Sequence, residues 1–199
     1  MAGAFPISTA NFESLGIKSI QNTIISKTVS GKKLARQIDG QRWSFTARVI
    51  TAKRSDVYGE LMAFIVKQRS GKENFTIVPP EITDARGTAS GTPNGTASAG
   101  ATSITLGGSG TGTLKAGDFI KFANHDKVYM VVADQSDIST GSLTIEPPLT
   151  TAVSSSDIQY DNVPFTVYLT NDIQEFGMIG ADKDGNALYQ FEFDVEESL

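Results

Sequence analysis

Apolar and polar residues alternate strictly through Gln41-Arg-Trp-Ser-Phe-Thr-Ala-Arg-Val49, placing Trp43, Phe45, Ala47 and Val49 on one face and Arg42, Ser44, Thr46 and Arg48 on the other. A period of two predicts a half-buried strand. The pattern then changes to a helical one. Ser55 and Asp56 are placed to open a helix over 55–70, Val57, Leu61, Phe64, Ile65 and Gln68 share one face, and Lys67 and Arg69 fall in the last turn with Gly71 just beyond. Asn74-Phe-Thr-Ile-Val-Pro-Pro80 predicts a strand that Pro79 must end or hold at an edge, because proline cannot donate to a ladder.

Upstream, Ser19–Val29 and Leu34–Ile38 predict strands separated by the polar turn Ser30-Gly-Lys-Lys33, and Asp39-Gly40 predicts a second turn. Ser19–Val49 then reads as a meander. Phe5 to Phe12, with Pro6 and several polar residues, predicts an extended arm free to dock on a neighbour. Near the other end Phe165, Val167 and Leu169 alternate with polar partners, as do Tyr189, Phe191, Phe193 and Val195 with Gln190, Glu192, Asp194 and Glu196. The strands at 41–49 and 188–196 are expected in one sheet. Trp43, Phe45, Phe191 and Phe193 would lie beneath the helix, with Arg42 and Arg48 opposite Glu192 or Asp194 on the outer face.

Composition breaks at Gly87. From 87 to 113 the chain is almost entirely Gly, Ala, Ser and Thr, and 8 of these 27 residues are glycine, which predicts a connector around one short strand at Thr102–Leu106. Short strands separated by turn residues follow at Asp118–Phe122, Lys127–Val132, Ser142–Ile145 and Asp157–Tyr160. The fold class is therefore mainly β: a β-sandwich or split-barrel body with one flanking helix, plus a small inserted β-barrel or sandwich. The body spans 1–86 and 161–199 and the insertion 87–160.

Charge is distributed unevenly. Residues 1–80 hold 12 Lys and Arg against 5 Asp and Glu, while the remainder holds 5 against 17, within a formal net charge of −5. Such a chain can neutralise itself internally or meet a copy of itself head to tail, and the second route builds rings. Dispersed basic residues with no interleaved aromatics argue against nucleic acid as a partner. At 199 residues and 39% hydrophobic the chain can bury an ordinary core. The absence of cysteine excludes disulfides and thiolate metal sites. Met1-Ala-Gly-Ala-Phe-Pro6 has no basic segment ahead of an apolar run, so neither secretion nor membrane insertion is expected.

Few residues are spaced for chemistry. His125, the one histidine, falls in Ala123-Asn-His-Asp-Lys127 between two strands and reads as a turn residue rather than a catalytic base or metal ligand. Asp182-Lys-Asp-Gly-Asn186 begins like a calcium loop but lacks the downstream bidentate Glu, so a hairpin turn is expected. Gly107-Gly-Ser-Gly-Thr-Gly112 opens no helix and Lys115 is followed by Ala-Gly, which rejects nucleotide binding. Asn94-Gly-Thr96 reads as an Asn-Gly turn rather than a glycosylation acceptor. No catalytic, cofactor-binding or metal-binding residue is assigned, no cofactor is expected, and the chain reads as a non-enzyme.

Gly40-Gln-Arg-Trp-Ser-Phe-Thr, Glu60-Leu-Met-Ala-Phe-Ile-Val-Lys-Gln-Arg and Glu73-Asn-Phe-Thr-Ile-Val-Pro-Pro resemble segments of virion structural proteins of tailed bacteriophages. So do Leu114-Lys-Ala-Gly-Asp-Phe-Ile-Lys-Phe, Lys127-Val-Tyr-Met-Val, Leu143-Thr-Ile-Glu-Pro-Pro-Leu and Val163-Pro-Phe-Thr-Val-Tyr-Leu-Thr-Asn-Asp, in the same order along most of the chain. The resemblance implies a tail or baseplate component like the distal tail proteins. It would assemble in the bacterial host cytoplasm, form a ring of copies of itself (six by resemblance), and dock tube and adsorption proteins in the virion. The alternative is a host-surface glycan-binding module. It would need at least two of Phe119, Phe122, Tyr129 and Tyr160 exposed on one side, since sugar sites pair aromatic platforms with polar groups. A polymer-degrading enzyme would need two convergent carboxylates, and no pair stands out.

Overall fold

The computed structural model describes residues 3–6, 12–38, 40–80 and 82–199. The described residues are mainly β, with one α-helix among them. Strands β1 (Phe12–Ile20), β4 (Arg42–Lys53), β14 (Ala187–Glu197), β12 (Phe165–Leu169) and β5 (Phe75–Ile77) lie side by side in that order, and β13 (Gly177–Ala181) pairs with the first half of β14. These strand pairs are antiparallel. The central β4–β14 pair opposes Val49 to Phe191, Ala47 to Phe193 and Phe45 to Val195, so the two alternating runs share one buried face as their periodicity predicts. On the outer face Arg48 meets Glu192 at 3.9 Å and Glu13 at 3.6 Å. Arg42 instead reaches Glu196 at 3.1 Å, while Asp194 accepts from Thr46 at 2.6 Å, because the register sets Thr46 opposite Asp194.

The helix differs from expectation at both ends. It is a five-residue π turn, Arg54–Tyr58, continued by α1 (Gly59–Lys67). Ser55 bonds the neighbouring Asp56 carboxylate rather than capping a backbone amide. The π turn rotates Tyr58 inward beside Leu61, Ile65 and Gln68, leaving Val57 and Phe64 half-buried. Termination falls to Arg69 and Ser70, at φ 53° and 58°, rather than to Gly71. Gly71 answers another demand: a Cβ there would sit 2.7 Å from the Leu169 carbonyl oxygen of β12.

The predicted meander is also corrected. β1 begins at Phe12 and pairs directly with β4, while β2 (Thr23–Lys27) and β3 (Lys33–Gln37) form a separate two-stranded ribbon between them. The turn expected at Asp39-Gly40 has Asp39 outside the described residues, as do residues 7–11 of the expected arm. Phe5 packs on its own chain. Its amide donates to Thr76 at 2.8 Å, and its ring lies 5.2–6.1 Å from those of Phe193, Phe12, Phe64 and Phe75.

The remaining strands, β6 (Pro93–Ala97), β7 (Ser103–Gly108), β8 (Phe119–Phe122), β9 (Val128–Val131), β10 (Ser142–Glu146) and β11 (Val153–Gln159), close into a barrel in the order β10-β7-β6-β11-β8-β9. Ile104, Leu114, Ile120, Phe122, Tyr129 and Ile145 fill its interior and are fully buried. The Gly-rich segment expected to be a connector supplies two of these strands. Asn94-Gly95 lies within β6 rather than in a turn, because a Cβ at Gly95 would meet Ile104 at 2.7 Å and Phe122 at 2.8 Å. Glycine here lets the barrel close on large side chains.

Candidate functional site

The barrel is fastened to the sheet by a buried polar joint. Lys127, last residue of the β8–β9 loop, and Glu197, last residue of β14, are both about 98% or more buried and meet at 2.5 Å. Gln41 accepts a second bond from the Lys127 ammonium at 2.8 Å. The Glu197 carboxylate also accepts the amides of Val128 at 2.8 Å and Trp43 at 3.1 Å, and the Trp43 indole donates to the Val128 carbonyl at 2.9 Å. Burial pushes Glu197 up and Lys127 down, and their mutual attraction opposes both shifts. Apolar packing runs through the same point. Phe119 of β8 sits edge-on to Trp43 at 5.1 Å and to Phe165 at 5.6 Å, so barrel residues join the core of the sheet. The pair escaped the sequence reading, yet one further step of two from Phe191, Phe193 and Val195 lands on Glu197.

His125 lies in the β8–β9 loop as expected, half-buried and stacked on Phe122 at 5.8 Å. Its Nδ1 is 2.8 Å from Asn124 Oδ1 and its Nε2 is 2.8 Å from the Tyr129 hydroxyl. The Tyr129 oxygen in turn accepts the Thr150 amide at 3.1 Å, and Asn124 donates to Ala152 at 2.9 Å. One neutral tautomer completes this chain: Nδ1 donates to Asn124 and Nε2 accepts from Tyr129. Burial and the nearby Lys121 lower the His125 pKa, against the pull of Asp126. The imidazole holds two loops together.

The other sequence candidates are likewise occupied by structure. Asp182 accepts the amides of Asp184 and Asn186 at 2.9 Å and pairs with Lys53 at 2.6 Å, in the β13–β14 hairpin turn where Gly185 adopts φ 80°. These donors hold its carboxyl well below the usual range. Among the described residues no group of three or more His, Cys, Asp or Glu is placed to hold a metal ion. The 107–112 glycines end β7 and lead into a turn rather than a helix. Phe119, Phe122, Tyr129 and Tyr160 are all buried, so these four offer no aromatic platform. Among the described residues no helix is long and apolar enough to cross a membrane.

Exposed apolar side chains gather at two places instead. Ile24, Ile25, Leu34 and Ile38 are half or more exposed on the β2–β3 ribbon, and Ile173, Met178 and Ile179 are so on and beside β13. Contiguous exposed apolar surface of this kind is what contacts with other molecules use. Residues 82–163, the segment that contains the barrel, match the family described as the B domain of the distal tail protein pb9. This supports the resemblance to phage distal tail proteins and a structural role in a phage tail. No curated protein matches the chain.

Proposed function

We propose that the chain is a non-enzymatic distal tail or baseplate component that assembles with copies of itself into a ring and docks tube and adsorption proteins there. The observation that carries this reading is the match of residues 82–163 to a distal tail protein domain. We take 87–160 as a domain inserted into a body of 1–86 and 161–199. All six barrel strands fall inside those bounds and both flanking segments contribute to the one sheet. The Lys127–Glu197 joint suits such a part, since it fixes the barrel against the sheet so that docking on either transmits geometry to the other. Assembly would take place in the host cytoplasm and end in the virion tail. A ring of six is the resemblance's number.

The test is the mass of the purified chain in solution by light scattering on a sizing column, at low and high salt. A single discrete multiple of the 21.2 kDa chain at low salt, dissociating at high salt, is the expected result, because screening weakens contacts between exposed charges. A monomer at every salt concentration would overturn self-assembly as the function.

A further inference from the structure

The β2–β3 ribbon is the least supported part of the structure. All ten of its strand residues are exposed, whereas an isolated two-stranded hairpin in water is at best marginally stable. Its register pairs Ile24 with Arg36 and Ser26 with Leu34, so Ile24, Leu34 and Arg36 share one face, and Ile38 continues it, its amide donating to the Asn22 carbonyl at 3.0 Å. The ribbon segment 22–38 carries Lys27, Lys32, Lys33 and Arg36 and no acidic residue. It is an apolar strip with a basic border.

The β13 edge has the opposite character. β13 pairs with β14 on one side, and Met178 and Ile179 are 60% and 54% exposed. Around it, segment 170–186 holds Asp172, Glu175, Asp182 and Asp184 against Lys183 alone. Gly-Met-Ile-Gly-Ala lacks the charges and prolines with which edge strands ordinarily resist pairing. Among the described residues, a Cβ at Gly177 or Gly180 would meet open space, and neither has positive φ. Glycine in a strand suits a second backbone coming close.

We infer that the β2–β3 ribbon of one copy docks along the β13 edge of the next, extending its sheet and burying Ile24, Leu34 and Ile38 against Met178 and Ile179. Arg36, on the face of Leu34, and Lys33, on the opposite face, then bring basic charge to the acidic border that includes Glu175 and Asp184. The two surfaces are different parts of the chain, so the contact is heterologous and propagates from copy to copy, closing a ring if the rotation allows. This inference rests on the self-assembly proposed above and names its interface.

Because the chain contains no cysteine, the contact can be tested by mixing Leu34→Cys and Ile179→Cys proteins and adding a short bis-maleimide linker. The expected product is a mixed dimer linked between 34 and 179, with little linkage in either protein alone. Lys33→Glu/Arg36→Glu should abolish both assembly and linkage, and Glu175→Lys/Asp184→Lys in the partner should restore them. A discrete oligomer with no 34–179 linkage would overturn the interface and leave the ring reading standing. So would one linked instead between two copies of residue 34, or between 34 and a Gly16→Cys on the β1 edge. Failure of the unmodified chain to assemble at all would overturn both.

Discussion

The β8–β9 and β2–β3 hairpins are built from the same local element, two antiparallel strands of four or five residues, and have opposite fates. In β8–β9, Phe119, Ile120, Phe122, Val128, Tyr129 and Val131 are buried, and the connecting loop is tied down by His125 and Lys127. In β2–β3 every strand residue is exposed. Backbone pairing alone therefore does not place a hairpin. What places β8–β9 is apolar surface on both sides, covered by the barrel interior and by Trp43 and Phe165 of the sheet. The ribbon has one apolar face, and its strand residues are all exposed. Burying the exposed half of each Ile or Leu would contribute about 1–1.5 kcal/mol, and that stabilisation is realised only when a partner supplies the cover.

The sharpest break in this comparison comes from removing the joint beneath β8–β9. Lys127→Met leaves Glu197 buried without its cation, and the loss of one member of a buried pair costs about 3–5 kcal/mol. Equilibrium urea unfolding should show this as a lower midpoint. Lys127→Met combined with Glu197→Gln removes both charges and should recover part of the loss. A single variant as stable as the parent would mean that the barrel is not held by this pair.

A smaller effect should come from acid. The His125 pKa is lowered, so the folded state favours the neutral ring, whose Nε2 accepts the Tyr129 hydroxyl. Above the ordinary value of 6.5 both folded and unfolded chains hold it neutral, and its contribution is fully present. Below 6.5 the unfolded chain takes the proton first, so stability falls as pH drops through the folded-state pKa. Thermal unfolding across that range should show an acid slope that His125→Gln reduces. NMR titration should place the imidazole below 6.5, and a value above it would sink the assigned hydrogen-bond direction.

These two hairpins also show what was legible in the sequence. Period-two alternation located β4, β12 and β14 and set Trp43, Phe45, Phe191 and Phe193 on one face, because a strand half buried against a core must alternate. It failed at β6, where Pro93 and Gly95 look like turn residues but serve close packing inside the barrel. It failed at β13, whose glycines and exposed Met178 and Ile179 carry no inward face to read. Glu197 was hidden for another reason. A carboxylate at an inward position reads as the end of the strand until its partner, 70 residues away in sequence, is known. Local pattern reports which side of a strand faces a core, and leaves unstated whether that core belongs to the same chain.

The smallest effect is the most discriminating, because it should be nearly absent. Leu34 is 50% exposed, on a separate two-stranded ribbon. Leu34→Ser should change the unfolding free energy of the dilute monomer by no more than about 0.5 kcal/mol, the range of surface substitutions. The same change should weaken assembly, since it removes an apolar side chain from the centre of the docking face. Measuring unfolding at low concentration and oligomer mass at high concentration on one preparation separates the two roles. A monomer destabilised by Leu34→Ser would mean that the ribbon's cover comes from its own chain, and the contrast with β8–β9 would disappear.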